Sequence, residues 1–174
     1  RFDTLREGFT IRGLERDVDY RYPISNGRLV KLYGRADRID QLDDGALQII
    51  DYKSGNVPHL EFNGIEGLFR GEPQDRISNI FQILLYSMML HKVHDMESMP
   101  TLYYASKMLG DDYSPNIVDV SNGQIVDRYS LVAAEFEGEL SAVLEELFDY
   151  DKPFVQCENV DMCKYCDFKS ICRR

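Results

Sequence analysis

The chain has 174 residues, of which 44% are hydrophobic and 29% charged, and it contains only six prolines. This length and composition exclude a disordered chain or a repeat protein and favour one globular domain. No apolar run approaches a membrane span and the N-terminus lacks the layout of a signal peptide, so we expect a soluble, cytoplasmic protein without membrane contact.

The N-terminal half reads as an antiparallel meander. Residues 10–22 and 28–40 mix β-branched, aromatic and charged residues around Asn26-Gly27, which is a hairpin signal. Asp43-Asp44-Gly45 is a second turn, and residues 46–53 form a third predicted strand with an apolar centre. Residues 54–73 contain several glycines and show no sustained periodicity, so they are predicted to form a loop or short irregular elements.

Helical spacing of apolar residues appears twice in the C-terminal half. Residues 75–94 form the longest predicted helix, with Asp75 or Ser78 as its cap, and residues 131–150 form a second one with an acidic outer face. Between them, residues 101–107 read as a strand and 117–129 as a hairpin around Asn122-Gly123.

These elements predict an α/β (α+β) fold in which helices flank a central mixed sheet. We expect a core over residues 1–150 and a cysteine-rich, metal-binding tail over 151–174 packed on it. The chain starts without Met and runs almost at once into strand-like sequence, which suggests a piece of a longer protein.

Acidic residues occur on two strands that a tight turn would pair. Asp37 lies on the second strand, and Asp51 and Lys53 lie two residues apart on the third, so the latter two project from one face. Two carboxylates with a nearby ammonium suit Mg²⁺-assisted hydrolysis of a phosphodiester. The alternative is that Asp51 and Lys53 form an ordinary surface ion pair.

At this point the residues resemble a known family, the RecB-like branch of the PD-(D/E)XK nucleases, which includes AddB-type helicase-nucleases and CRISPR-associated iron-sulfur exonucleases. Gly-Arg-Ala-Asp-Arg-Ile-Asp at 34–40 resembles the family's Gly-x-x-Asp-Arg-x-Asp strand, and Asp-Tyr-Lys-Ser-Gly at 51–55 resembles its Asp-Tyr-Lys-[Ser/Thr]-Gly strand. The resemblance implies a restriction-endonuclease-like core. It also implies that Asp37 and Asp51 bind metal, that the backbone carbonyl of Tyr52 completes the site, and that Lys53 is catalytic.

Two further matches extend the resemblance. Gln82 and Tyr86, four apart on one face of the long helix, match the family's Gln-x-x-x-Tyr motif, which implies DNA contact beside the active site. Glu15 stands where the family often carries a glutamate, which makes it a further catalytic candidate; a surface role fits it equally. The family's upstream helical His or Glu is not visible in this sequence.

The four cysteines lie within the last 18 residues: Cys157, Cys163, Cys166 and Cys172. Four crowded thiols suit tetrahedral Zn²⁺ or a [4Fe–4S] cluster, and the spacing leaves both open. The segment from Cys163 to Cys172 resembles the family's C-terminal iron-sulfur segment, which favours a cluster. In cluster-bearing relatives the fourth cysteine usually lies far upstream, where this chain has none, so Cys157 is a substitute candidate.

The expected activity is therefore a Mg²⁺- or Mn²⁺-dependent deoxyribonuclease, with exonuclease action favoured over endonuclease action. The net charge of −10 opposes a free-standing nucleic-acid binder, because phosphate contacts need a basic surface. The resemblance implies single-stranded DNA or DNA with free ends as substrate, and a helicase or other parent-protein domains as partners in repair or recombination. The alternative is a catalytically silent nuclease-fold module that binds DNA or assembles a complex.

Overall fold

A computed structural model describes residue 3 and residues 8–55, 59–70, 77–108, 110, 113–156 and 159–173. Within them, three long strands form the predicted meander: β1 (Phe9–Pro23), β2 (Leu29–Leu42) and β3 (Leu47–Lys53). β1 pairs antiparallel with β2, and β2 antiparallel with β3. The meander is thus confirmed.

The sheet becomes mixed at its fourth strand. β5 (Ser98–Tyr104) runs parallel to β3, which gives the order β1-β2-β3-β5. Parallel neighbours need a long crossover connection, and α2 (Ser78–His94) provides it. The predicted mixed sheet is confirmed, although β5 begins three residues earlier than expected and ends at Tyr104, before a turn.

Residues 54–73, predicted to form a loop or short irregular elements, contain the short strand β4 (Glu61–Phe62) and the helix α1 (Gly64–Arg70). The two-residue strand agrees with that prediction, and the regular helix does not. These elements bury only Phe62, Ile65 and Leu68, which are too few apolar positions to produce a periodic signal. Of the glycines that suggested a loop, Gly64 has a φ of 71° at the start of α1, whereas the Cβ position of Gly67 is open and requires no glycine.

The predicted hairpin at residues 117–129 is confirmed as β6 (Val118–Asp119) and β7 (Gln124–Ile125), with Gly123 at a φ of 74° in the turn. Both strands are short, and they form a second, three-stranded sheet with β4. A 3-10 helix, Tyr129–Leu131, then leads into the last helix, α3 (Ala133–Leu147).

The core lies between the sheet and the helices. α2 buries residues on most of its circumference because the sheet covers one side and α3 with its neighbouring elements the other. Phe136, Leu140 and Leu144 of α3 reach the same core. α2 begins at Ser78, and the residue in the N-cap position is Ile77, which makes no side-chain capping hydrogen bond. Of the two predicted caps, Ser78 is therefore not the cap, and Asp75 lies outside the described residues.

The C-terminal tail contains the 3-10 helix Val160–Tyr165 followed by turns. Among the residues that the structure describes, no helix is long and apolar enough to cross a membrane.

Candidate active site

The candidate site forms where the pairing of β2 with β3 ends. The last backbone pair is Arg38 with Ile50, and extending this register by one residue sets Asp37 opposite Asp51. Opposed residues of an antiparallel pair project on the same side, so the two carboxylates face one region. Asp37 Oδ2 accepts a 2.7 Å hydrogen bond from the Tyr52 backbone N–H, which holds the Asp37 carboxylate against β3.

Asp51 is the buried carboxylate of the site. Only 4% of the residue is exposed, and Lys53 Nζ lies 2.7 Å from its Oδ2. Among the described residues no donor is aligned for a hydrogen bond to that oxygen, so its partner is the ammonium charge alone. Burial raises the pKa of the Asp51 carboxyl; Lys53 opposes this rise, and the charge of Asp37 adds to it.

Lys53 is fixed from the helix side. Its Nζ donates a 2.8 Å hydrogen bond to Gln82 Oε1 on α2, and Gln82 Nε2 donates one of 2.8 Å to the Tyr86 hydroxyl. The helical spacing thus brings Gln82 and Tyr86 beside Lys53 of the candidate site. Tyr86 is buried, while Gln82 is half-buried. Their predicted contact with DNA remains a prediction.

Glu15 lies on β1 at the level of Asp37. Its neighbours pair across the strands, Leu14 with Arg38 and Arg16 with Ala36, and Glu15 falls between these pairs. Its φ of 46° is unusual for a residue other than glycine inside a strand. The side chain is exposed. The described residues contain no group of three or more His, Cys, Asp or Glu side chains close enough to hold a metal, so Glu15 does not join Asp37 and Asp51 in such a group.

Arg38 and Asp40, to which sequence reasoning gave no role, form a buried ion pair on the other face of the sheet. Arg38 Nε and Nη2 each lie 2.8 Å from a carboxylate oxygen of Asp40, which is fully buried. Arg38 Nη1 also donates to Asp3 at 2.8 Å and to the Tyr52 hydroxyl at 3.4 Å. The Asp40 carboxylate raises the pKa of the Arg38 guanidinium. The pair braces β2 and Tyr52 directly behind the candidate site.

Three of the cysteines lie among the described residues. Cys163, Cys166 and Cys172 are free thiols of intermediate exposure, and Cys157 lies outside those residues. The described part of the tail does not gather them into a metal site.

A divalent cation fits the acidic pair. A buried carboxylate beside a second carboxylate is unfavourable unless positive charge compensates it, and among the described residues no donor is aligned with one oxygen of Asp51. Hard cations such as Mg²⁺ prefer such oxygen ligands. The arrangement is thus suited to hold a metal on Asp37 and Asp51, with an ammonium group alongside.

Comparison with known proteins identifies the family. None of the curated proteins compared with the chain matches it. Among solved structures, one described as "Crystal structure of SSO0001" is similar, with 15% sequence identity and a TM-score of 0.34. The similarity covers 92% of this chain but only 58% of that one, and a likeness of this size carries no argument about function. The family model described as "PD-(D/E)XK nuclease superfamily" matches residues 1–173, and the chain therefore belongs to the PD-(D/E)XK nuclease superfamily.

Proposed function

We propose that the chain is a divalent-metal-dependent deoxyribonuclease that hydrolyses phosphodiester bonds at the site formed by Asp37, Asp51 and Lys53. Membership in the superfamily supports a nuclease that acts on nucleic acid. The observation that carries the assignment to these residues is the buried Asp51 carboxylate, which lies opposite Asp37 and 2.7 Å from the Lys53 ammonium.

Asp37 and Asp51 would hold Mg²⁺ or Mn²⁺, with the Tyr52 carbonyl as a third oxygen ligand. A cation bound there would polarise the phosphoryl group and lower the pKa of a bound water. The Tyr52 N–H already fixes Asp37, so the β2–β3 backbone sets the separation of the two carboxylates before the ion arrives. Such preorganisation reduces the reorganisation needed during the reaction.

Lys53 would face the scissile phosphate. In hydrolysis, the oxygen of water forms the new bond to phosphorus, and the ester oxygen leaves with the bonding electrons and takes up a proton. The Lys53 ammonium, held between Asp51 and Gln82, would stabilise the charge that develops on the phosphate or orient the attacking water.

We keep Glu15 as a catalytic candidate beside the pair Asp37 and Asp51, because the strand register puts it across from Asp37, although it does not form a group of three with them. Because Glu15 is exposed and Asp51 is buried, removal of the Glu15 charge should weaken metal binding less than removal of the Asp51 charge.

The finer assignment is to the RecB-like branch, with exonuclease action on single-stranded DNA or DNA ends within a larger helicase-nuclease. The Gly-x-x-Asp-Arg-x-Asp, Asp-Tyr-Lys-Ser-Gly and Gln-x-x-x-Tyr matches support it. The net charge of −10 also favours a module whose partner domains bind the DNA, since its 30 acidic residues outnumber its 20 lysines and arginines.

The cysteine tail is proposed to hold a structural [4Fe–4S] cluster, with Zn²⁺ as the alternative occupant of Cys157, Cys163, Cys166 and Cys172. Hydrolysis moves no electrons, so either centre would tie the tail to the core. Iron, sulfide and zinc contents of anaerobically purified protein, compared with those of Cys163→Ser, separate the two. The proposal is contradicted if the parent contains neither iron nor zinc above the level found in the variant.

The decisive experiment measures cleavage of labelled single-stranded and duplex DNA with Mg²⁺, Mn²⁺ or EDTA, in the parent chain and in Asp51→Ala. We expect metal-dependent cleavage that disappears in the variant. Asp127→Ala, which removes an exposed carboxylate from the segment after β7, is the matched control and should cleave normally. DNA binding without cleavage by the folded parent would favour the alternative of a silent nuclease-fold module.

A further inference from the structure

Gly34 of β2 lies against the ring of Tyr86 from α2. A Cβ atom at position 34 would lie 2.4 Å from Tyr86 Cε1 and 2.8 Å from the Tyr86 hydroxyl, both far inside van der Waals contact. The backbone of Gly34 is outside the left-handed region, so alanine would be compatible with its conformation. Glycine is therefore needed here for space. Tyr86 is only 6% exposed and has little room to retreat.

The ring that rests on Gly34 is joined to the candidate catalytic lysine by two hydrogen bonds. The Tyr86 hydroxyl accepts from Gln82 Nε2 at 2.8 Å, and Gln82 Oε1 accepts from Lys53 Nζ at 2.8 Å. Because an ammonium group only donates, the amide of Gln82 must turn its oxygen toward Lys53. The Tyr86 hydroxyl stabilises that orientation by accepting from the opposite end of the amide.

We propose that Gly34 and Tyr86 are positioning residues for Lys53: the missing side chain at Gly34 seats the Tyr86 ring, and Tyr86 fixes the amide orientation by which Gln82 holds the ammonium group. The catalytic consequence rests on the proposed nuclease function; the contact itself does not. If the Tyr86 hydroxyl moves, the amide is free to rotate, and its NH₂ end would then repel Lys53.

The first test needs no metal and no activity. Acylation of lysines by an amine-reactive reagent in EDTA, followed by peptide mass spectrometry, reports how firmly Lys53 is held. We expect Gly34→Ala to raise the labelling rate of Lys53 at least about threefold, because the ammonium group loses a hydrogen bond, and hydrogen bonds to charged groups are among the stronger ones. Lys92, which is ion-paired with Glu137 at 2.7 Å, is the internal reference, because general loosening would raise its labelling as well.

Three variants make the test specific. Gly138→Ala on α3 has open space at its Cβ position and is the matched glycine control, which should leave Lys53 labelling unchanged. Tyr86→Phe keeps the ring and removes only the hydroxyl, so it should raise Lys53 labelling even if Gly34→Ala does not fold. In a Tyr86→Leu background, Gly34→Ala should add little, because residues that act through one contact are not additive.

Unchanged Lys53 labelling in Tyr86→Phe, or a full additional effect of Gly34→Ala in the Tyr86→Leu background, would overturn the proposal. If the parent cleaves DNA, Gly34→Ala should lower kcat about tenfold or more with little change in KM, since small misplacements of a catalytic group are expensive. A parent that cleaves nothing while the labelling results hold would refute the proposed function and leave the positioning contact intact.

Discussion

The buried Arg38–Asp40 pair behind the site predicts that replacing two arginines of the same strand will lower the stability of the fold by unequal amounts. Arg38 and Arg35 lie three residues apart on β2, and each is paired with an aspartate. The Arg38 side chain is 8% exposed and its partner Asp40 is fully buried, whereas Arg35 and its partner Asp17 are each 55% exposed. Burial therefore separates two otherwise similar ion pairs.

Replacing Arg38 with Met should destabilise the fold strongly. It leaves the Asp40 carboxylate buried without the guanidinium that lies 2.8 Å away, and removal of one partner from a buried pair typically costs about 3–5 kcal/mol. The contact of the guanidinium with the Phe9 ring, at 5.1 Å, is lost as well. Asp3 and Tyr52, the other acceptors, are partly exposed and can turn to water, so they add little to the loss.

Urea unfolding followed by circular dichroism measures the effect. With a slope of about 2 kcal/mol per molar urea, the midpoint of Arg38→Met should fall by about 2 M. Arg35→Met should leave it nearly unchanged, because exposed pairs contribute little. The double variant Arg38→Met, Asp40→Leu should recover most of the loss, since two apolar residues of similar size often replace a buried pair without penalty. Equal losses for the two single arginine variants would refute the reasoning.

Four further outcomes are expected, each tied to one acidic residue or to the metal. Asp51→Asn should abolish cleavage yet stabilise the metal-free protein at neutral pH. Because burial raises the pKa of Asp51, the folded chain binds the Asp51 proton more tightly than the unfolded chain does. The parent therefore loses stability as the pH rises from the ordinary carboxyl pKa through the folded pKa, and the variant does not. Urea unfolding in EDTA from about pH 4 to about pH 7 tests this, and an equal slope in the variant would contradict it. Mg²⁺ or Mn²⁺ at a hundred times its dissociation constant should stabilise the parent by about 2.7 kcal/mol, and thermal unfolding should detect no such gain in Asp37→Ala. Glu15→Gly should stabilise the metal-free fold by about 1 kcal/mol, because it relieves the φ of 46°; a lower urea midpoint would show that the Glu15 side chain stabilises β1. Glu15→Gln keeps the backbone preference and should raise the Mg²⁺ concentration needed for cleavage only slightly; loss of cleavage equal to that in Asp51→Asn would make Glu15 a full metal ligand.

Much of the candidate site could be predicted from local periodicity. Asp51 and Lys53 share a face because side chains alternate along a strand, and Gln82 and Tyr86 share one because helix positions four apart are neighbours. The turn at Asp43-Asp44-Gly45 likewise indicated that β2 and β3 pair. Each of these inferences needed only the geometry of one element or one tight turn.

Short elements and element ends were harder to predict. β4 and α1 bury few side chains each. β5 starts at the polar Ser98, which is buried and whose hydroxyl donates a hydrogen bond to the Ser87 carbonyl. A polar residue in the core has no sequence signal of its own, because its partner comes from another element. The left-handed backbone at Glu15 is likewise invisible in the sequence, since the residue type does not favour it.

The sequence by itself determined the antiparallel meander, the two long helices and the residue types of the acidic site, because strand and helix periods and turn residues act over a few positions. Only the tertiary structure decided that Gln82 meets Lys53, that Gly34 makes room for Tyr86, and that the Arg38–Asp40 pair is buried. The first two contacts join residues on different elements, and the third is a pair on one face of β2 whose burial depends on the elements packed around it. Their free energies depend on burial and on the distance between partners, which arise only when the helix packs against the sheet.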